Sequence, residues 1–222
     1  MTKLAFAGVT LADLKPLIHL EEKAVADYAW TQVEHLPLSE IEQQQLQAIS
    51  SRLLNYPLHL MNEATIFARA IYPLLLLSEQ NSIQAWAEVG LKAQYAKFEL
   101  EGIIDAVLAK SIAGRVESPY LVVVETKRGV EGQNPVFQLY AQILAAARFN
   151  WENTPTSPQE MFGRYTIADS WTFVRGEIEE IDSDLPTLRV EYSREYVEKL
   201  EAETIFKILK GIVAKYAQRN HN

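Results

Sequence analysis

The sequence of 222 residues contains no cysteine. A disulfide scaffold and any cysteine-ligated zinc or iron–sulfur site are therefore excluded, and a reducing compartment fits, so we expect a cytoplasmic protein. The four histidines show no metal-ligand spacing, and none belongs to a recognisable serine or cysteine triad. Any catalytic chemistry is therefore expected from other side chains.

The sequence also lacks a long hydrophobic run and the glycine-rich motifs of nucleotide binding. The longest dense apolar stretch, residues 70–77, is far too short to cross a bilayer. The first residues lack the sustained apolar core of a signal peptide, so we expect no membrane partner. No P-loop and no dinucleotide glycine pattern is present, which argues against a built-in ATPase.

Basic residues are in deficit: 21 Lys and Arg face 29 Asp and Glu, and the net charge is −8 at pH 7. This balance weighs against a protein that coats nucleic acid through a broad basic surface. It leaves open an enzyme that holds phosphates with metal ions and a few local cations, because a cation between carboxylates inverts the local field. Lys110, Arg115 and Arg128 could contact phosphates near such a site, and surface solvation explains each of them as well.

Hydrophobic patterning predicts an α/β fold, a mixed β-sheet flanked by helices, in one domain overall. Apolar residues make up 48% of the chain, as in an ordinary globular protein. Helices are predicted within 11–79, strands over 83–95, 98–109 and 119–126, a helix from 134 to about 149, a hairpin over 165–168 and 171–175, a strand over 187–192 and a helix over 201–218. Within the domain, residues 1–60 are expected to form a helical segment packed on a core of residues 61–222.

Several helix boundaries carry local signals. Ser39 and Glu42 form a capping box, Asn62 is a plausible N-cap, and Asn134–Pro135 combines an N-cap with proline in the first helical position. Pro73 is expected to kink or end its helix, because proline removes a backbone donor.

The stretch VVVETKRG, which begins at Val122, places an acid and a base at the exit of a buried strand. Glu125 and Lys127 are two residues apart, so they project from the same face of the strand. Open sheets commonly carry functional sites at such strand ends. An ion pair at the edge of the sheet is the alternative explanation.

The neighbouring predicted strand contains Asp105 in an apolar setting, GIIDAVLA, where an unpaired carboxylate would be costly. If the two strands are adjacent, Asp105 and Glu125 could converge on one cation, for which Mg²⁺ is the expected choice. The carbonyl of Thr126 is a natural further ligand. Lys127 would relieve repulsion between the two acids and could assist the attacking water. A role for Asp105 as a bulge or turn residue stays open.

Two helices contribute further polar residues. Gln138 and Gln142 lie four residues apart on the helix that follows the strand, and so they share a face. Glu63 occupies the first turn of the helix that begins after Asn62. Glu63 could simply favour the positive end of its own helix, and the two glutamines could form a solvated face.

Taken together, these residues resemble the PD-(D/E)XK nuclease superfamily. The closest pattern is that of the nuclease module at the N-terminus of type I restriction motor subunits and its free-standing bacterial relatives. In that module a helix Glu, a strand Asp, a Glu-x-Lys and a helix Gln follow in this order. A hairpin ending in an aromatic comes next, which Trp171 and Phe173 match. The resemblance spans about residues 61–175, and Ile104 replaces the proline that names the motif.

The resemblance implies a restriction-endonuclease-like fold and a role for each motif residue. Asp105 and Glu125, with the Thr126 carbonyl, would bind Mg²⁺, for which Mn²⁺ could substitute, and Lys127 would serve the water and the transition state. Glu63 would be an outer acid or a ligand of a second metal. Gln138 would orient the catalytic group or contact the phosphate.

The sequence therefore predicts a Mg²⁺-dependent nuclease that hydrolyses phosphodiester bonds in DNA. Because the chain has no motor motif, it would act alone, as a dimer, or with a partner that supplies specificity or motor activity. The main alternative is a catalytically silent protein of the same fold that serves as a nucleic-acid-binding or assembly subunit. An acidic α/β scaffold with a chance motif is the third possibility.

Overall fold

The computed structural model describes residues 1–127 and 134–219, which form a mixed sheet of eight strands flanked by helices. Arg128, suggested above as a phosphate contact, lies outside these residues. The strands are β1 (Thr2–Ala5), β2 (His19–Glu22), β3 (Ile83–Gln94), β4 (Phe98–Ile112), β5 (Arg115–Lys127), β6 (Gln159–Ile167), β7 (Ser170–Glu179) and β8 (Thr187–Val197).

The strand order is β1-β4-β5-β6-β7-β8-β2, and β3 also pairs with β4. Strands β3, β4 and β5 form an antiparallel meander, β5 and β6 are parallel, and β6, β7 and β8 are antiparallel. The parallel step from β5 to β6 requires a crossover, which a helix provides. The predicted mixed sheet and the interior position of β5 are confirmed.

The helices lie on both faces of this sheet. They are α1 (Leu11–Leu14), α2 (Glu40–Leu53), α3 (Glu63–Ile66), α4 (Tyr72–Leu77), α5 (Pro135–Asn153) and α6 (Glu198–Arg219). Helix α5 packs on one face with Val123 and Val174, and α2, α4 and α6 pack on the other face with Val122 and Val124. Each face therefore has its own apolar core.

The alternation of side chains along β5 determines where its polar end points. Val123 is buried against α5, whereas Val122 and Val124 are buried on the opposite face. Because the side-chain period of a strand is two, Glu125 continues the face of Val123 and Thr126 continues that of Val124. The end of β5 thus supplies Glu125 and Lys127 to the α5 side of the sheet and Thr126 to the other side.

The predicted helix signals are present at the residues expected. Ser39 and Glu42 form a reciprocal capping box at α2, and Asn62 accepts the Thr65 N–H at the start of α3. Asn134 caps α5, with Pro135 as its first residue. Residues Phe67–Ile71 form a π-helical turn between α3 and α4. Pro73 lies in the first turn of α4, and the helix continues beyond it to Leu77.

The prediction of a helical segment over residues 1–60 is not confirmed. Strands β1 and β2 lie within it and pair in parallel with β4 and β8. Each has only four residues, too few to establish a period of two, and its partner lies far away along the chain. The division of the chain at residue 60 stays a prediction.

Within the described residues no helix is long and apolar enough to span a membrane.

Two of the basic residues suggested as phosphate contacts lie away from the predicted site. Lys110 and Arg115 lie at the hairpin end of β4 and β5, where Ile112 pairs with Arg115. Asp105 lies at the middle of β4, and Lys127 lies at the opposite end of β5. Lys110 and Arg115 are therefore not part of the site predicted around Asp105.

The close approach of α5 to the sheet depends on Gly163 in β6, which gives a first prediction. A Cβ atom at this position would lie 2.8 Å from Ile143 Cδ1 and 3.0 Å from Leu139 Cδ1, both on α5. We expect Gly163→Ala to lower the free energy of unfolding by about 1–3 kcal/mol, since the Ile143 and Leu139 side chains must move within a packed core. Urea unfolding followed by circular dichroism measures this change.

Gly90→Ala is the matched control, because Gly90 also lies in a strand and a Cβ atom there would meet nothing within 4 Å. This variant should be as stable as the parent or slightly more stable. Equal losses in the two variants would contradict the close-packing explanation.

Candidate active site

Glu125 is the centre of the polar cluster at the end of β5. Its side chain is fully buried, and it faces α5. Oε2 accepts hydrogen bonds from Gln138 Nε2 at 2.8 Å and Gln142 Nε2 at 2.7 Å, while Oε1 lies 2.5 Å from Lys127 Nζ. Both carboxylate oxygens are therefore engaged by groups of the chain itself.

The prediction that Glu125 and Lys127 share a face is confirmed by their ion pair. The pair is unlike an exposed pair at a sheet edge, because β5 lies between β4 and β6 and Glu125 is inaccessible to solvent. A buried pair of this kind is costly to desolvate and is a weak source of stability. The arrangement instead holds a negative and a positive group in fixed positions at the sheet end.

Gln142 is more deeply placed than the sequence indicated. The possibility that the two glutamines form only a solvated face is wrong for Gln142, which is fully buried, and both donate to the same oxygen of Glu125. Their spacing of four residues places both side chains on the side of α5 that faces β5. The four-residue spacing in the sequence indicates that the two glutamines share a face. That their common partner is Glu125 is seen only once β5 is placed against α5.

Asp105 lies on β4, one residue beyond the last regular pair of β4 with β5, Ala106 with Val124. Its Oδ2 accepts the backbone N–H of Thr126 at 2.7 Å. On the other side of β4 the pairing with β3 also skips Asp105, where Glu88 has a positive φ of 53°. The alternative of a bulge residue is thus partly realised, and this irregularity turns Asp105 towards Thr126.

The pKa values of the charged residues in this cluster are shifted by burial and by their neighbours. Burial raises the pKa of Glu125 to about 7, the negative charge of Asp105 adds to the increase, and Lys127 and Gln142 oppose it. Burial also raises the pKa of Asp105, against the Thr126 N–H and the charge of Lys127. For Lys127, burial lowers the pKa, but the bond to Glu125 outweighs it and the net shift is upward. A further positive charge nearby would stabilise the ionised forms of Glu125 and Asp105.

A cavity of about 230 Å³ opens beside Asp105 on the face of the sheet that carries α3. The residues around it are Glu63, Ala64, Phe67, Ala87, Glu88, Asp105 and Thr126. Glu63 and Asp105 therefore come together as the sequence predicts. Glu125 does not border this cavity, since its carboxylate points to α5.

The donor set consists of hard oxygen atoms from Asp105, Glu125, Glu63 and the Thr126 carbonyl. Among residues 1–127 and 134–219, no three His, Asp or Glu side chains lie close enough to form a metal site by themselves. Mg²⁺ is commonly held by one or two carboxylates while it keeps several waters. These oxygen donors fit Mg²⁺ by their chemistry, with Asp105 as the group next to open space.

Comparison with known proteins adds no family to this geometry. No protein-family model matches the chain, and no curated protein matches it. The functional interpretation therefore depends on the residues and their arrangement.

Sequence reasoning did not identify Arg164, which is fully buried on β6. The sequence does place Arg164 between Phe162 and Thr166 in the alternation of the strand segment MFGRYTI, so these three residues share one face. The register pairs Val124 with Arg164 and Thr126 with Thr166, so this arginine lies beside the proposed site. An isolated arginine in a strand gives no indication of which face is buried until the pairing is known.

The raised pKa of Glu125 predicts a specific pH dependence of stability without metal. The folded chain retains a proton between the ordinary pKa of 4.5 and the folded value of about 7, where the unfolded chain has released it. Glu125 therefore lowers the free energy of unfolding as pH rises through this range, by on the order of 3 kcal/mol. Glu125→Gln should remove this loss, so its stability relative to the parent should be greater at pH 8 than at pH 5.

Urea unfolding at both pH values in EDTA measures the difference. Glu152→Gln, an exposed glutamate near the end of α5, is the control and should show no such change. A constant difference between Glu125→Gln and the parent from pH 5 to pH 8 would show that Glu125 is already ionised at pH 5.

Proposed function

We propose that this chain is a Mg²⁺-dependent nuclease with a restriction-endonuclease-like fold that hydrolyses phosphodiester bonds in DNA. The observation that carries the proposal is the meeting of Asp105, Glu125 and Lys127 at the end of β5, with Glu63 beside Asp105. The order of the meander β3–β5, helix α5 and the parallel strand β6 supports the fold assignment, because it is the frame in which the motif residues of that superfamily lie.

In this proposal Asp105, Glu125 and the Thr126 carbonyl hold the metal, and Glu63 serves as an outer acid or as a ligand of a second ion. Bound Mg²⁺ would supply Lewis-acid polarisation of the phosphate and a water of lowered pKa. Oxygen ligands from two adjacent strands suit an ion that demands near-ideal geometry, since strands hold side chains more rigidly than loops do.

The remaining residues orient the reacting groups. Lys127 keeps a positive charge within 2.5 Å of Glu125, where it can orient the attacking water and stabilise negative charge that develops on the phosphate. Gln138 and Gln142 fix the Glu125 carboxylate from the α5 side through two hydrogen bonds to one oxygen. This support limits the rotation of Glu125 and so keeps one oxygen directed towards Lys127.

One observation favours a second candidate function, a catalytically silent protein that binds nucleic acid or assembles with others. Without any metal, Oε2 of Glu125 accepts from Gln138 and Gln142, and Oε1 lies in an ion pair with Lys127. In a catalytically silent protein of this fold, these contacts alone would keep Glu125 stable in the interior. In either case the partners we propose are DNA, a second copy of the chain, or a protein that supplies specificity or motor activity.

A cleavage assay tests the nuclease directly. Supercoiled, linear and single-stranded DNA are incubated with the parent protein in Mg²⁺ or Mn²⁺, beside Asp105→Asn and Lys127→Ala. We expect cleavage by the parent and a loss of about 10²-fold or more in each variant, because each removes a group that acts on the transition state.

Lys110→Ala is the matched control, since Lys110 lies on β4 away from the cluster, and it should cleave like the parent. Cleavage that survives both site substitutions would contradict the assignment. Retention on DNA that weakens steeply with salt, without cleavage in either metal, would favour the silent binding subunit.

A further inference from the structure

Arg164 is a cation in the interior of the protein. Its side chain is fully buried on β6, and none of its three guanidinium nitrogens has a hydrogen-bond partner among the residues that the structure describes. Arginine is almost never fully buried unless it is paired, because an isolated charge is expensive to remove from water. Because the desolvation of this charge is unfavourable, we expect a function of Arg164 in the neighbouring site around Asp105.

The guanidinium stacks on an aromatic ring that is itself held in place. Arg164 Cζ lies 3.5 Å from the centroid of the Trp171 ring. Trp171 Nε1 donates to Glu198 Oε2 at 2.7 Å, and both side chains are buried. The stacking provides a cation–π attraction on one face of the guanidinium, and it fixes the plane of the group. The edge that carries the nitrogens remains without partners in the described part of the chain.

The register places Arg164 on the side of the sheet that carries the cavity beside Asp105. Arg164 pairs with Val124 and Thr166 with Thr126, so Arg164 and Thr166 project to the same side of the sheet as Thr126. The hydroxyls of Thr126 and Thr166 are also buried without partners in the described residues. These unpartnered polar groups therefore project to one side of the sheet, and Thr126 among them borders the cavity.

The charges of Arg164 and Asp105 act on each other through this interior. Burial lowers the pKa of Arg164 to about 9, while Glu198 and Asp105 oppose that change, so the group is cationic at neutral pH. In return Arg164 is one of the two positive groups, with Lys127, that favour the ionised form of Asp105. Low solvent exposure keeps this interaction from being screened by salt.

We propose that Arg164 is a positioning residue of the active site, a fixed interior positive charge behind Asp105 that limits how tightly the site binds its divalent cation. The inference rests on the proposed nuclease function. Since Arg164 repels any cation that Asp105 attracts, it weakens metal binding and leaves the bound site with more positive charge for an anionic phosphate. Lys127 is the second positive group that acts on Asp105, and it is paired with Glu125.

The test compares Mg²⁺ binding by the parent and by Arg164→Met with isothermal titration calorimetry. Methionine keeps much of the volume and removes the charge. We expect Mg²⁺ to bind about threefold to tenfold more tightly to the variant, because one repelling charge is gone. A purely structural role predicts unchanged or weaker binding, since loosened ligands do not gain affinity. Arg164→Lys, which keeps the charge, should restore the affinity of the parent.

Arg148→Met is the control, because Arg148 also stacks on a tryptophan, Trp151, and does not act on Asp105. It should leave the affinity unchanged. Should Arg164→Met fail to fold, the parent provides a second measurement: the Arg164 Nε–H resonance should shift on Mg²⁺ titration with the calorimetric Kd. A resonance that does not respond would overturn the inference.

The outcomes separate the two proposals. If the parent binds no Mg²⁺, the metal site fails and this inference fails with it. If the parent binds Mg²⁺ and Arg164→Met binds it equally or more weakly, the inference alone is overturned and the nuclease proposal stands.

Discussion

The buried carboxylate of Glu125 is the constraint on which the arrangement of the site depends. A carboxylate removed from water must be neutralised or hydrogen-bonded. The sheet and α5 meet this demand with Lys127 on one oxygen and two glutamines on the other. Burial still raises its pKa to about 7, so the three donors compensate the charge incompletely. The fold thus preserves a group that a bound cation would stabilise.

The rest of the architecture serves to place this residue. The parallel step from β5 to β6 requires α5 to cross the sheet, and Ile143 and Leu139 of this helix pack closely over Gly163. The glutamines of the same helix reach Glu125 on β5. On the opposite face α3 brings Glu63 to the cavity beside Asp105. Asp105 borders open space on this face, while Gln138 and Gln142 hold Glu125 from the α5 face.

The sequence predicts much of the frame because its signals are local. Strand alternation, the caps at Ser39, Asn62 and Asn134, and the two-residue spacing of Glu125 and Lys127 are properties of neighbouring residues. Three features depend on distant partners and could not be predicted. They are the strand pairing of β1 and β2, the irregular pairing that turns Asp105 towards Thr126, and the interior position of Arg164.

The central claim, that Asp105 and Glu125 share one divalent cation, is tested most directly by a crystal structure of the protein with Mn²⁺, which can substitute for Mg²⁺. We expect an anomalous peak about 2.0–2.3 Å from one oxygen of Asp105, with Glu125 and the Thr126 carbonyl among the remaining ligands. An ion bound elsewhere, or a site that stays empty at saturating Mn²⁺ while Lys127 still covers Glu125, would contradict it.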